Sequence, residues 1–191
     1  QQNGIQMSPE EFDVVDDYDE RYRCELIHGV LIVNPIPSDQ ESDPNGELGY
    51  LLRRYSEDHP AGTVLDATLQ ERYVLTDESR RRADRVIWTG LGRIPDSRSD
   101  VPTIVVEFVS PGRRYWLRDY AEKRDEYLAL GVKEYWIFDR FHRTLTVYRK
   151  SEQGSDERIV AEQEIYTTDL LPGFQLPVAR LLVAADRWGK D

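Results

Sequence analysis

Two carboxylates and one lysine carry the chemistry of this sequence. Glu107 interrupts an otherwise apolar run, Thr103-Ile104-Val105-Val106-Glu107-Phe108-Val109. Taking a lone carboxylate out of water is costly unless a cation or metal stands beside it. Asp84 follows the basic stretch Arg80-Arg81-Arg82, and Lys123 falls in a helix-patterned segment shortly after Glu107. Acid, acid and lysine form a set suited to metal-assisted phosphodiester chemistry. A hard cation such as Mg²⁺ takes oxygen ligands, accepts one or two carboxylates, and completes its shell with water and substrate phosphate. Asp84 and Glu107 on adjacent strands would suffice, with Lys123 orienting the attacking water and offsetting charge in the transition state.

Elements must bring these residues together. Alternation along 103–109 puts Val105, Glu107 and Val109 on one face and Ile104, Val106 and Phe108 on the other, as in a central strand covered on both sides. Over 116–130, a step of about 100° per residue gathers Trp116, Leu117, Tyr120, Ala121, Tyr127, Leu128 and Leu130 into one apolar arc. Lys123 falls inside that arc, whereas Asp119, Glu122, Asp125 and Glu126 take the opposite face. Arg124 also points inward, where a guanidinium suits a salt bridge better than proton transfer.

Turn and cap signals set the remaining frame. Ser8-Pro9-Glu10-Glu11 reads as a helix start, and His28-Gly29 as a tight turn joining strands Tyr22–Ile27 and Val30–Val33. Residues 35–44 read as a loop, followed by a helix from Asn45 to His59 carrying Leu48, Leu51, Leu52 and Tyr55 on one face. Strands are expected at Thr63–Asp66, Gln70–Leu75, Ala83–Thr89, Thr103–Val109, Glu134–Phe138 and Leu145–Arg149. Ser151–Asp156 reads as a solvated turn, and Leu171-Pro172-Gly173-Phe174 precedes a short closing segment. Together these predict an α/β chain with one mixed sheet flanked by helices.

Composition bounds the function. With 191 residues and 39% hydrophobic content, a single domain over residues 7–191 is expected, preceded by a disordered lead or expression remnant at 1–6. The single cysteine, Cys24, excludes an internal disulfide and a cysteine-based zinc site and reads as a small buried hydrophobe. No apolar segment is long enough to span a bilayer, which points to a cytoplasmic protein without membrane contact. A net charge of −11 opposes avid nonspecific binding of a polyanion, so any DNA contact must be local and basic. Arg80, Arg81, Arg82, Arg113, Arg114 and Arg118 bracket the acids and are candidates for holding a phosphate backbone. His28 is read as a turn residue, and Tyr127, Tyr135 and Trp136 as core or dimer-interface residues.

An ordered series of segments resembles the Uma-two family of restriction endonuclease-like proteins within the PD-(D/E)XK nuclease superfamily. It runs from Met7-Ser8-Pro9-Glu10-Glu11-Phe12 through Tyr22-Arg23-Cys24-Glu25-Leu26-Ile27-His28-Gly29, Ala83-Asp84 and Val105-Val106-Glu107-Phe108-Val109-Ser110-Pro111. It continues through Lys123 and Tyr127 to Gly131-Val132-Lys133-Glu134-Tyr135-Trp136-Ile137-Phe138-Asp139. The resemblance implies a restriction-endonuclease-like fold, a Mg²⁺ (or Mn²⁺) cofactor, DNA as substrate and a homodimer. It implies that Asp84 and Glu107 are metal ligands and that Glu25 lies near the site. Val109 stands where the superfamily usually has lysine, and the resemblance implies that Lys123 replaces it from the helix. The chain departs from the family pattern at Ala83, His28 and Val30, and its 38–47 segment lacks the family's common histidine.

Two other functions fit the same residues. One is a noncatalytic binding or assembly module, with the three groups forming only an ion-pair network. The other is a metal-dependent phosphohydrolase acting on small nucleotides.

Overall fold

Strand β4 (Arg80–Thr89) organises the molecule. The computed structural model describes residues 3–15, 21–112, 118–151 and 154–189. In chain order, α1 (Pro9–Asp13), β1 (Tyr22–Ile27), β2 (Val30–Pro35), α2 (Asp39–Asp58), β3 (Leu65–Leu75), β4 and β5 (Ile104–Phe108) form the first half. A π-helical segment (Arg118–Lys123) runs into α3 (Arg124–Leu130), followed by β6 (Glu134–Asp139), β7 (Thr144–Ser151), β8 (Gly154–Ala161), β9 (Ile165–Tyr166), β10 (Leu176–Pro177) and α4 (Val178–Asp186). One mixed sheet has the order β2-β1-β4-β5-β6-β7-β8, with β3 added on β4, and β9 and β10 form a separate pair. Strands β5 and β6 are parallel, with Glu107 beside Ile137 and Phe108 beside Phe138; the segment ending in α3 is their crossover. This is the expected mixed α/β sheet with flanking helices.

The pairing of β4 is unequal on its two edges. Along one edge β3 follows it from Thr89 to Arg80. Along the other, β1 meets it at Leu26–Arg80 and β5 only from Arg85 onward, opposite Val106. Arg82 and Asp84 therefore lie in a notch between two strands that share one edge. An unpaired buried backbone group is costly, so side chains must fill this gap.

Two apolar layers cover the sheet. Ile104, Val106 and Phe108 pack with Leu48 and Leu52 of α2 and with Leu181 and Leu182 of α4. Val105 and Val109 pack with Tyr127 and Leu128 of α3 and with Tyr135 and Ile137. The expected alternation of 103–109 therefore holds, and Glu107 takes the α3 face. The β1–β2 hairpin packs Cys24, Leu26 and Leu31 around Phe12; its turn has positive φ at both His28 (47°) and Gly29 (75°), the twist a two-residue hairpin needs.

Several expectations are corrected. Helix α2 starts at Asp39 inside the expected loop, because Ser38-Asp39-Gln40-Glu41 closes a cap: Glu41 accepts from the Ser38 backbone N–H at 2.7 Å and from its hydroxyl at 3.0 Å. Pro44 is accommodated within this helix. The two strands expected over 63–75 are one strand, β3, with a register shift between Leu65 and Ala67. Of the turn expected at Ser151–Asp156, Ser151 ends β7 and residues 154–156 begin β8, while residues 152–153 lie outside the described residues; β8 as a whole was missed because its outer-edge position leaves it polar and mostly exposed. Of the expected lead, Asn3–Gln6 lies along the hairpin: Gly4 N–H donates to Leu31 O at 2.8 Å, Leu31 N–H to Ile5 O at 2.8 Å. Residues 1–2 lie outside the described residues. No helix among the described residues is long and apolar enough to cross a membrane.

Candidate active site

The notch in β4 is closed by side chains from five elements. Glu25 on β1 is buried and accepts from the backbone N–H of Arg82 at 2.9 Å; its other oxygen accepts from Asn34 Nδ2 on β2 at 2.9 Å. Lys123 Nζ donates to Arg82 O at 3.4 Å. Asn45 on α2 donates from Nδ2 to Asp84 O at 2.9 Å. Arg85 holds Asn45 in place, donating from Nε to Asn45 Oδ1 and from Nη2 to Asn45 O, both at 2.8 Å. Burial pulls the Arg85 guanidinium down to about 10, which leaves it charged at neutral pH. Gly49 makes its seat possible, since a Cβ there would lie 2.6 Å from Arg85 Nη2.

Asp84 and Glu107 each lie one residue beyond the last paired positions of β4 and β5, Arg85 and Val106. Both side chains are buried. Asp84 Oδ2 accepts from Phe108 N–H at 2.7 Å, and Oδ1 accepts from Arg23 Nη1 on β1 at 2.9 Å. Arg23 is itself paired with Glu71. Glu107 Oε1 takes the Lys123 ammonium at 2.8 Å and the Tyr127 hydroxyl at 3.2 Å. Lys123 Nζ also lies 3.9 Å from Glu25 Oε1.

These groups line a cavity of about 190 Å³, whose wall holds Arg23, Glu25, Arg82, Asp84, Glu107 and Lys123 with Glu41, Ser110 and Phe108. Asp84, Glu107, Lys123 and Glu25 are thus brought together. Glu25, with surface exposure as its other reading, is 3% exposed. Lys123 points inward as the helical phase predicts, but through π-helical winding. That winding breaks the assumed 100° step: Ala121, placed in the apolar arc, is exposed, and Glu126, placed on the solvent face, accepts from Arg81 Nε at 2.8 Å.

The basic residues are mostly engaged. Arg80 makes bonds to both oxygens of Asp13, and buried Arg81 pairs with Glu126. Arg82 faces the cavity and pairs with Glu71 at 3.1 Å. Arg124 pairs with Asp125 at 2.8 Å and lies over the Tyr148 ring, outside the site, as its salt-bridge reading implies. Arg113, Arg114, Trp116 and Leu117 lie outside the described residues, as does the side chain of Arg118. Reading the sequence missed Arg23, Asn34, Glu41, Asn45, Ser110 and the contact of Tyr127 with Glu107. Only the Ser38–Glu41 cap signal could have placed Glu41 on a helix; Asn45 stood at the start of the expected helix.

The donor set suits a hard cation. It is all oxygen, and its two central carboxylates match the one or two that Mg²⁺ takes. Among the described residues, no group of three or more His, Cys, Asp or Glu side chains forms a metal-binding cluster, so water and a substrate phosphate would supply the other ligands.

The family model described as "Putative restriction endonuclease", Uma2, matches residues 9–179. The chain belongs to the Uma2 family. A solved structure described as a "putative nuclease belonging to DUF820 from Anabaena variabilis ATCC 29413" matches with a TM-score of 0.73 at 13% identity, covering 94% of this Uma2 chain and 99% of the other. At that identity the match speaks for the fold alone. The type IIG restriction endonuclease BpuSI aligns with a TM-score of 0.40 at 13% identity, over 80% of the Uma2 chain and 17% of its own. No curated protein matches the Uma2 chain.

Proposed function

We propose that this Uma2 protein is a divalent-metal-dependent endonuclease that hydrolyses phosphodiester bonds in DNA. The observation that supports it most is the buried convergence of Asp84 and Glu107 on adjacent strands, with Lys123 Nζ 2.8 Å from Glu107. Asp84 and Glu107 are the residues that would hold Mg²⁺ or Mn²⁺. When bound, such an ion polarises the scissile phosphate and makes a water easier to deprotonate.

The chain's own residues do the positioning. The Lys123 ammonium donates to Glu107 at 2.8 Å and to the Arg82 carbonyl at 3.4 Å, with the Glu25 carboxylate 3.9 Å away, so three oxygens surround it. A water that replaces one of these acceptors is oriented by Lys123, and the ammonium offsets the negative charge that grows on the phosphoryl oxygens. Tyr127 fixes the Glu107 carboxylate from the same helix. Glu41 joins α2 to the segment after β5 through Ser110.

Cleavage of plasmid DNA in Mg²⁺ or Mn²⁺ tests the reading. Wild type is expected to nick or linearise it, with activity reduced at least about 100-fold in Asp84→Asn; equal activity in both would overturn the assignment. A second reading, a noncatalytic module, draws support from the Arg23–Asp84 pair, which already gives the carboxylate a cation. Plasmid, oligonucleotide and free nucleotide compared side by side separate an endonuclease from a phosphohydrolase.

A further inference from the structure

A second, larger cavity of about 440 Å³ adjoins the acidic one and shares Arg23, Ile36, Pro37 and Arg82 with it. Its size falls within the roughly 300–1,000 Å³ typical of small-molecule sites. The chain as a whole carries a charge of −11, yet this cavity is lined by two arginines, Arg23 and Arg82, against one acid, Glu71. Tyr22 and Tyr73 supply aromatic surface. Tyr73 is anchored by its hydroxyl to Cys24 O at 2.9 Å and carries Arg82 over its ring at 5.8 Å. Tyr22 and Ile36, both lining residues, are 48% and 57% exposed, although large apolar side chains are expected inside. Gln70 and Ser42 add hydrogen-bonding groups at the same wall.

Two arginines, an exposed aromatic ring and amide and hydroxyl groups suit a nucleotide: Arg23 and Arg82, paired with Glu71 and Asp84, would exchange a carboxylate for phosphate, the ring would stack on a base, and polar groups would meet its edge. A base can enter such a pocket only when it is out of the duplex stack, which costs least where it is unpaired. We infer that this cavity seats an unpaired nucleotide next to the scissile phosphate, so that the preferred substrate is single-stranded or locally unpaired DNA. This inference rests on the nuclease reading above and specifies its substrate.

Fluorescence anisotropy on the full chain tests it, using a labelled short single-stranded oligodeoxynucleotide and the matched duplex in Ca²⁺, which takes the same oxygen ligands. Wild type is expected to bind the single strand at least about five-fold tighter than the duplex. Tyr22→Ala should weaken single-strand binding about five-fold or more, the effect of losing one base stack, and change duplex binding less than about two-fold. Gln70→Ala, at another exposed position, should weaken the single strand in the same direction, and circular dichroism shows whether each variant is folded. Equal affinity for the two DNAs, or folded Tyr22→Ala and Gln70→Ala proteins that bind the single strand as wild type does, overturns the inference. If DNA is still cleaved in an Asp84-dependent manner, only the nucleotide pocket falls. If no Asp84-dependent cleavage occurs, the nuclease reading falls and the pocket assignment with it.

Discussion

The ammonium of Lys123 lies 2.8 Å from Glu107 Oε1, with both side chains almost wholly buried. Such a pair contributes little net stability because desolvation offsets its attraction, but removing one partner strands the other charge. Lys123→Met is expected to destabilise the protein by about 3–5 kcal/mol. The double variant Lys123→Met/Glu107→Gln should recover much of that loss. Urea unfolding of the two singles and the double provides the cycle; additive losses would mean that the two groups are not coupled.

Tyr127→Phe removes one hydroxyl and leaves the ring packed against Tyr135. Loss of its bond to Glu107 is expected to cost about 1 kcal/mol in stability. Because the same hydroxyl fixes the carboxylate, cleavage should fall more than folding does, by roughly ten-fold at saturating metal. Unfolding midpoints and single-turnover rates measured on one preparation check both.

The start of α2 matters to the site as well as to the helix. Glu41→Ala removes the acceptor of Ser38 and of Ser110, and is expected to cost roughly 1–2 kcal/mol by loss of the cap and a buried bond. Metal affinity should change little, since Glu41 is not one of the two central acids. Thermal unfolding with and without Mn²⁺ separates these effects.

Much of this arrangement was legible in the sequence, for definite reasons. Glu107 was conspicuous because apolar residues surround it on a strand buried on both faces. Lys123 was found from helical phase, and its inward aim holds although local π-helical winding displaces Ala121 and Glu126 from their expected faces. Glu25 could not be assigned from alternation, because its burial depends on β4 lacking a strand partner on one edge at Arg82, a long-range feature. Arg23 and Asn45 were invisible for the same reason: they serve backbone and carboxylate groups exposed by the gap between β1 and β5. Strand β8 was missed because an outer-edge strand need not be apolar.

Away from the site, Arg93 holds the Asp100 carboxyl low, at about 2, with help from the Asp96 backbone N–H. The folded carboxyl binds its proton less readily than the unfolded one. Its stabilising contribution is therefore complete above about pH 4 and is lost as pH falls towards 2. Carboxyl carbon NMR should place the Asp100 midpoint near the lower value, and Arg93→Gln should move it up towards the ordinary aspartate range. An unchanged midpoint in that variant would refute the role of Arg93.

Direct titration with Mn²⁺ by calorimetry, comparing wild type with Asp84→Asn and Glu107→Gln, bears most immediately on the two-carboxylate site. Wild type is expected to bind the ion at a site that each substitution weakens at least about ten-fold, while circular dichroism remains native. Identical isotherms for wild type and both folded variants, or no binding to any of them, would contradict the metal-dependent account.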